Sequence, residues 1–191
     1  MKQCEGMVFS DNLAAAYVAA VVELFNKEHP DRYLGRKALQ KLLYFARAMG
    51  APLPFSFEIY TYGPYSDGLS FVVEGMLADE TLEDTSQDQA RYSNYRITEQ
   101  GRYLLEKYGE HLNPHKGVLR EVVRIFGGFE PSTLELIATL HFLVQRLKRQ
   151  GSGRPQEEEV VRRFLEIKGE KFPRGAVSSW YKALEQSGLI E

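Results

Sequence analysis

The sequence predicts a mainly α protein with a small antiparallel β-sheet: a winged-helix-like N-terminal domain over residues 1–113, then a helical module with a helix-turn-helix-like end over 114–191. Three observations carry this expectation. Apolar residues recur at helical spacing along most of the chain. The string YRITEQGRYLLEKYG at 95–109 has the form of a winged-helix hairpin running into its next helix. In it a strand ends in an apolar residue, a threonine caps a helix, and a glycine lets that helix pack closely. Asn113-Pro114 then breaks the chain, and only helix-period segments follow it.

Taken in order, Ser10 or Asp11 caps a first helix with Leu13, Tyr17, Val21, Leu24 and Phe25 along one stripe, and His29-Pro30 ends it. A second helix runs from about Gly35 to Met49 and buries Leu39, Leu42, Leu43, Ala46 and Met49, with its basic residues mostly off that stripe. Gly50 closes it as a C-cap, and Pro52 and Pro54 prevent continuation. Phe55 to Tyr62 alternates and reads as a short strand, after which Gly63-Pro64 turns the chain. Ser66 or Asp67 caps a third helix, whose stripe is Leu69, Val72, Val73, Met76 and Leu77.

A hairpin follows, from Thr81–Asp84 through the polar loop Thr85–Gln89 to a return strand at Arg91–Ile97. Thr98 caps a helix through Gly101, Leu104, Leu105 and Tyr108. Beyond Pro114 four helices are expected, at about 115–126, 132–149, 155–168 and 173–187. The one at 132–149 is apolar on most faces and should be central to its half. Residues 150–154 form a loop that is flexible by composition, and Val177, Trp180, Tyr181 and Leu184 share a face of the last helix.

Composition is that of an ordinary globular protein: 191 residues, 43% hydrophobic and 26% charged, net charge −2. No apolar run approaches the roughly 20 residues of a membrane helix, and acids within the first residues argue against a signal peptide. The single Cys4 excludes an internal disulfide framework and suits a reducing compartment, so a cytoplasmic location with no membrane partner is expected.

The residues offer little catalytic chemistry. There is no GxSxG, no phosphate-binding glycine loop, and no HExxH or cysteine pair. His111 and His115 have metal-ligand spacing, but Pro114 interrupts the helix they would need. His141 shares a face with Leu134, Ile137 and Val144 and reads as a satisfied core or interface histidine, while Glu157–Glu159 reads as acids favoured at a helix start. A non-enzymatic protein with no metal or cofactor is expected. The third helix, about 65–80, carries acids and no Lys or Arg, so it is unsuited to a DNA groove.

The stretch GRKALQKLLYF, a Pro-rich turn and FEIYTYGPYS is similar to YwgA-like bacterial proteins, over about residues 10–110. More distantly, Lys41-Leu42-Leu43-Tyr44-Phe45-Ala46 and Tyr62-Gly63-Pro64-Tyr65 resemble the Panacea antitoxin domain of SocA-like proteins. That resemblance implies a role in binding and neutralising a partner, without catalysis.

The expected function is therefore that of a bacterial regulatory or interaction protein, antitoxin-like, with an unidentified protein partner. Its candidate surface combines the basic residues Arg36, Lys37 and Lys41 with the aromatic residues Tyr44, Tyr60, Tyr62 and Tyr65. Such tyrosines supply anchoring area with a polar end, or else a core cluster. The alternative is a transcriptional regulator that binds nucleic acid through the C-terminal half, using Arg162, Arg163, Lys171, Arg174 and Lys182.

Overall fold

A computed structural model describes residues 11–87, 92–151 and 155–190. Cys4, Ser10, the return of the polar loop at 88–91 and most of the loop at 150–154 lie outside the described residues. The elements run α1 (Leu13–Glu28), α2 (Arg36–Ala48), β1 (Glu58–Tyr60), β2 (Gly63–Tyr65), α3 (Asp67–Ala78), β3 (Leu82–Asp84) and β4 (Tyr95–Ile97). They continue as α4 (Glu99–Lys107), α5 (Gly109–Leu112), α6 (Lys116–Phe126), α7 (Pro131–Gln150), α8 (Glu157–Lys168) and α9 (Arg174–Gln186). The protein is mainly helical, as expected, but among the described residues there are two small antiparallel sheets, β1–β2 and β3–β4, in place of one. Among the described residues no helix is long and apolar enough to cross a membrane.

The chain forms two compact units: Met1–Ser56 with Ser66–Gly128, and Phe57–Tyr65 with Phe129–Glu191. In the first, α1 is the central helix. Every residue from Ala15 to Val22 is buried, because a run of alanines and valines presents no polar face. The single stripe expected there understates its burial. Its N-cap is Asn12, whose Oδ1 accepts from the Ala15 amide at 3.0 Å. Asp11 does not cap; it pairs instead with Lys107 at 2.5 Å. Helix α2 buries an unbroken run from Ala38 to Ala46, and Phe45 stacks on Phe126 of α6 with ring centroids 3.8 Å apart. Gly50 follows with φ +104°, the left-handed C-terminal position that glycine takes at no steric cost.

The hairpin and its following helix form where the sequence indicates, but the return strand is shorter than the expected 91–97: of its described residues only Tyr95–Ile97 is strand. Strands β3 and β4 pair Leu82 with Ile97 and Asp84 with Tyr95. Asp84 Oδ1 accepts from the Asn94 amide at 2.8 Å and the Ser86 amide at 3.0 Å, closing the loop from one side. Thr98 Oγ1 accepts from the Gly101 amide at 3.2 Å, and the same hydroxyl sits 2.6 Å from the Glu80 carbonyl. A Cβ on Gly101 would lie 2.5 Å from the Thr81 carbonyl oxygen and 2.6 Å from Ile97 Cγ1. Only a glycine lets α4 sit this close to the sheet.

In the second unit α7 is central, with Leu134 to His141 continuously buried, and α8 and α9 pack on it. The expected strand Phe55–Tyr62 and its Gly63-Pro64 turn require correction. Phe55 and Phe57 are buried and Ser56 exposed, as alternation demands, but only Glu58–Tyr60 is a strand. The turn is Thr61-Tyr62, and Gly63-Pro64 belongs to the return strand, with Tyr60 opposite Gly63 and Ile59 opposite Pro64. Gly63 has φ +87°, which suits it to the position where a two-residue turn closes. Pro64 is tolerated because a two-stranded ribbon consists of edges.

Candidate interaction surface

The two halves of the GRKALQ…YGPYS signature end in different settings. In the first unit, Gln40 is buried and its side-chain amide grips the Ser66 backbone. Oε1 accepts from the Ser66 amide at 3.0 Å, while Nε2 donates to the Ser66 carbonyl and to Ser70 Oγ, both at 2.9 Å. Ser66 Oγ in turn caps α3 by accepting from the Leu69 amide at 3.3 Å. Sequence reasoning passed over Gln40, since a glutamine beside apolar residues on a helix has no distinctive pattern.

The proposed basic and aromatic residues divide by burial. Arg36 and Lys37 are exposed at the start of α2. Lys41 is only 2% exposed and Tyr44 only 7%, so both are interior residues of α2 and not surface ones. The nine-residue buried run of α2 is wider than the stripe inferred from period alone, and it takes in both of them.

In the second unit the other three tyrosines are accessible. Tyr60 is 47% and Tyr62 45% exposed, either side of Thr61 in the β1–β2 turn, and Tyr65 is half-buried with its ring 5.3 Å from that of Tyr60. Beneath this turn lies a charge cluster that the sequence did not reveal. Lys168, at the end of α8, donates to the Thr61 carbonyl at 2.7 Å and to Glu135 Oε1 at 2.9 Å. Lys171 donates to both Glu135 oxygens at 2.8 and 2.7 Å, and its ammonium stands 5.0 Å from the Tyr62 ring centroid. Glu135 and Lys168 are buried, and burial pulls the Lys168 ammonium below the usual lysine range while the Glu135 carboxylate opposes that shift. The available signal was a glutamate inside the apolar run of α7, since a buried charge demands a partner.

The five cations offered to nucleic acid each have a carboxylate neighbour. Arg162 pairs with Glu166 at 2.5 Å, Arg163 with Glu159 at 3.2 Å, Arg174 with Glu158 at 2.5 Å, and Lys182 approaches Glu157 at 3.9 Å. Lys171 is held by Glu135. The Glu157–Glu159 run thus does more than suit a helix start: Glu157 and Glu158 reach α9, and Ser178 donates to Glu157 as well.

Of the histidines, His141 is buried, and burial lowers it to about 4. His111 lies against Tyr108 and His115 against Tyr17. Among the described residues no three of His, Cys, Asp and Glu are grouped to hold a metal ion.

No protein-family model matches the chain. It is 30% identical over 109 residues to the uncharacterized protein YwgA of Bacillus subtilis, a match covering 56% of this chain and 63% of YwgA. It is 28% identical over 138 residues to the DNA ADP-ribosyl glycohydrolases of Mycobacterium bovis and Mycobacterium tuberculosis, covering 69% of this chain and 38% of each. The chain therefore spans less than two thirds of the length of these relatives. The similarity to YwgA-like proteins expected from the sequence is thus found over 109 residues.

Proposed function

We propose that this chain is a non-enzymatic bacterial protein that works in the cytoplasm by binding a protein partner, in the manner of an antitoxin or regulator. The observation that carries the reading is the β1–β2 turn, where Tyr60 and Tyr62 stand exposed on a support of buried charge. Tyrosines contribute much contact area for little lost side-chain freedom, which is why they anchor interfaces. Arg36 and Lys37 are a second, basic element of the reading. The helix order before and after β3–β4 fits a winged-helix-like arrangement put to protein binding, because α3 has acids and no base for a phosphate backbone.

The test is capture of partners from the native bacterial lysate, with and without nuclease, by the wild type and by Tyr60→Ala/Tyr62→Ala. A stoichiometric, nuclease-resistant protein held by the wild type and lost by the double variant supports the reading. Retention of every captured protein by the double variant removes it.

The similarity to glycohydrolases raises a second reading, hydrolysis of ADP-ribose from DNA. More than half of each glycohydrolase lies outside the match, which leaves room there for that activity. Release of ADP-ribose from ADP-ribosylated DNA by the purified chain would establish this second reading over the first. Regulation of transcription through the C-terminal cations is a third, and it requires their carboxylate pairs to open.

A further inference from the structure

The Glu58–Tyr65 hairpin has three-residue strands, and a two-stranded ribbon of that length is marginal in water by itself. Its support comes from α7 and the end of α8. One carboxylate, Glu135, holds two ammonium groups, and each of those takes a different part of the turn. Lys168 binds the backbone at Thr61, and Lys171 covers the ring of Tyr62. Without the carboxylate, two lysines would face each other with one of them buried. Lys168 would then leave for water or lose its proton, and its contact with the Thr61 carbonyl would loosen.

We infer that Glu135 is the positioning residue for the Tyr60/Tyr62 surface: through Lys168 and Lys171 it fixes the Thr61-Tyr62 turn in one conformation. The purpose of that surface rests on the interaction reading above, but the clamp can be tested without any partner.

The experiment is backbone amide hydrogen exchange across Glu58–Tyr65, referenced to the amides of α7, in the wild type, Glu135→Gln and the double variant Glu135→Leu/Lys168→Met. The double variant replaces the buried charges by apolar groups of similar size, a change that usually preserves the fold. It decides the matter if the single variant loses α7 protection as well. The expected result is hairpin exchange faster by about tenfold or more relative to α7 in both variants, with the Tyr62 ring resonances moving toward those of a solvated tyrosine. Hairpin protection in the double variant equal to the wild type would overturn the inference. Partner capture on the same proteins separates the two ideas. A loosened hairpin that still binds the partner counts against the interaction reading alone, and an unchanged hairpin that no longer binds counts against the clamp alone.

Discussion

Gln40 holds Ser66 by both of its backbone groups, accepting from the amide at 3.0 Å and donating to the carbonyl at 2.9 Å. A side-chain amide here does what a neighbouring strand would do. It fixes the residue at which the YGPY segment gives way to α3, and the same serine then caps that helix. Replacing Gln40 by leucine leaves a buried amide and a buried carbonyl unpaired, so a loss of about 2–4 kcal/mol is expected by denaturant titration. Gln40→Glu should destabilise as well, because a carboxylate there would be buried without a partner and would face the Ser66 carbonyl.

Gly101→Ala should cost about 1–3 kcal/mol, since the new methyl would meet backbone at Thr81 and cannot be relieved by a side-chain rotation. Gly117→Ala on α6 is the matched control. Nothing lies within 4 Å of its Cβ position, so the change should be neutral or stabilising by up to about 1 kcal/mol. Thermal melts of the two proteins, compared with the wild type, test this contrast.

His141 makes stability depend on pH. Its folded value of about 4 lies below the ordinary 6.5, because burial disfavours the charged ring and nearby Lys148 adds to that, against a hydrogen bond with the Leu189 backbone. Between those two values the unfolded chain binds a proton that the folded one does not. Stability is therefore full above about pH 6.5 and falls on acidification, by about 3 kcal/mol once pH reaches 4. A His141→Gln variant should show a flatter slope across that window. An unchanged slope would place the acid sensitivity elsewhere.

The exposed ion pairs of α8 and α9 should contribute little. Arg162→Ala is expected to shift stability by less than about 0.5 kcal/mol, as pairs of this exposure usually do. If the C-terminal helices bind no duplex, fluorescence anisotropy with labelled DNA at about 50 mM salt will show no retention. Retention that weakens in Arg174→Ala/Lys182→Ala would instead revive the nucleic-acid reading.

Local chemistry was legible in the sequence where a single residue type suffices. Thr98, Ser66, Gly50 and Gly101 do what their positions indicate, because capping and close approach are decided within a few residues. The helices of the C-terminal half and the centrality of α7 followed from apolar content for the same reason. Burial width was not legible. Period alone cannot tell a stripe from a helix buried all round, which is why it understates α1, offers Lys41 as a surface cation and leaves Tyr44 open between core and surface. The β1–β2 turn was misplaced because Gly-Pro is a strong turn signal and Thr-Tyr a weak one, while pairing across the ribbon decided the outcome. The Glu135–Lys168–Thr61 contacts lay furthest out of reach, because they join residues with no common local pattern.

The separation between Thr61 and Lys168, 107 positions along the chain, also has a kinetic side. At ribosomal speeds of about 5–20 residues per second, the turn is made roughly 5–20 s before the lysine that ties it down. For that interval the Glu58–Tyr65 segment lacks the lysine that ties it down, and a ribbon of that length is marginal by itself. The hairpin, among the first parts of the second unit to be made, thus waits for helices among the last, and that unit closes only after α8 and α9 have been synthesised.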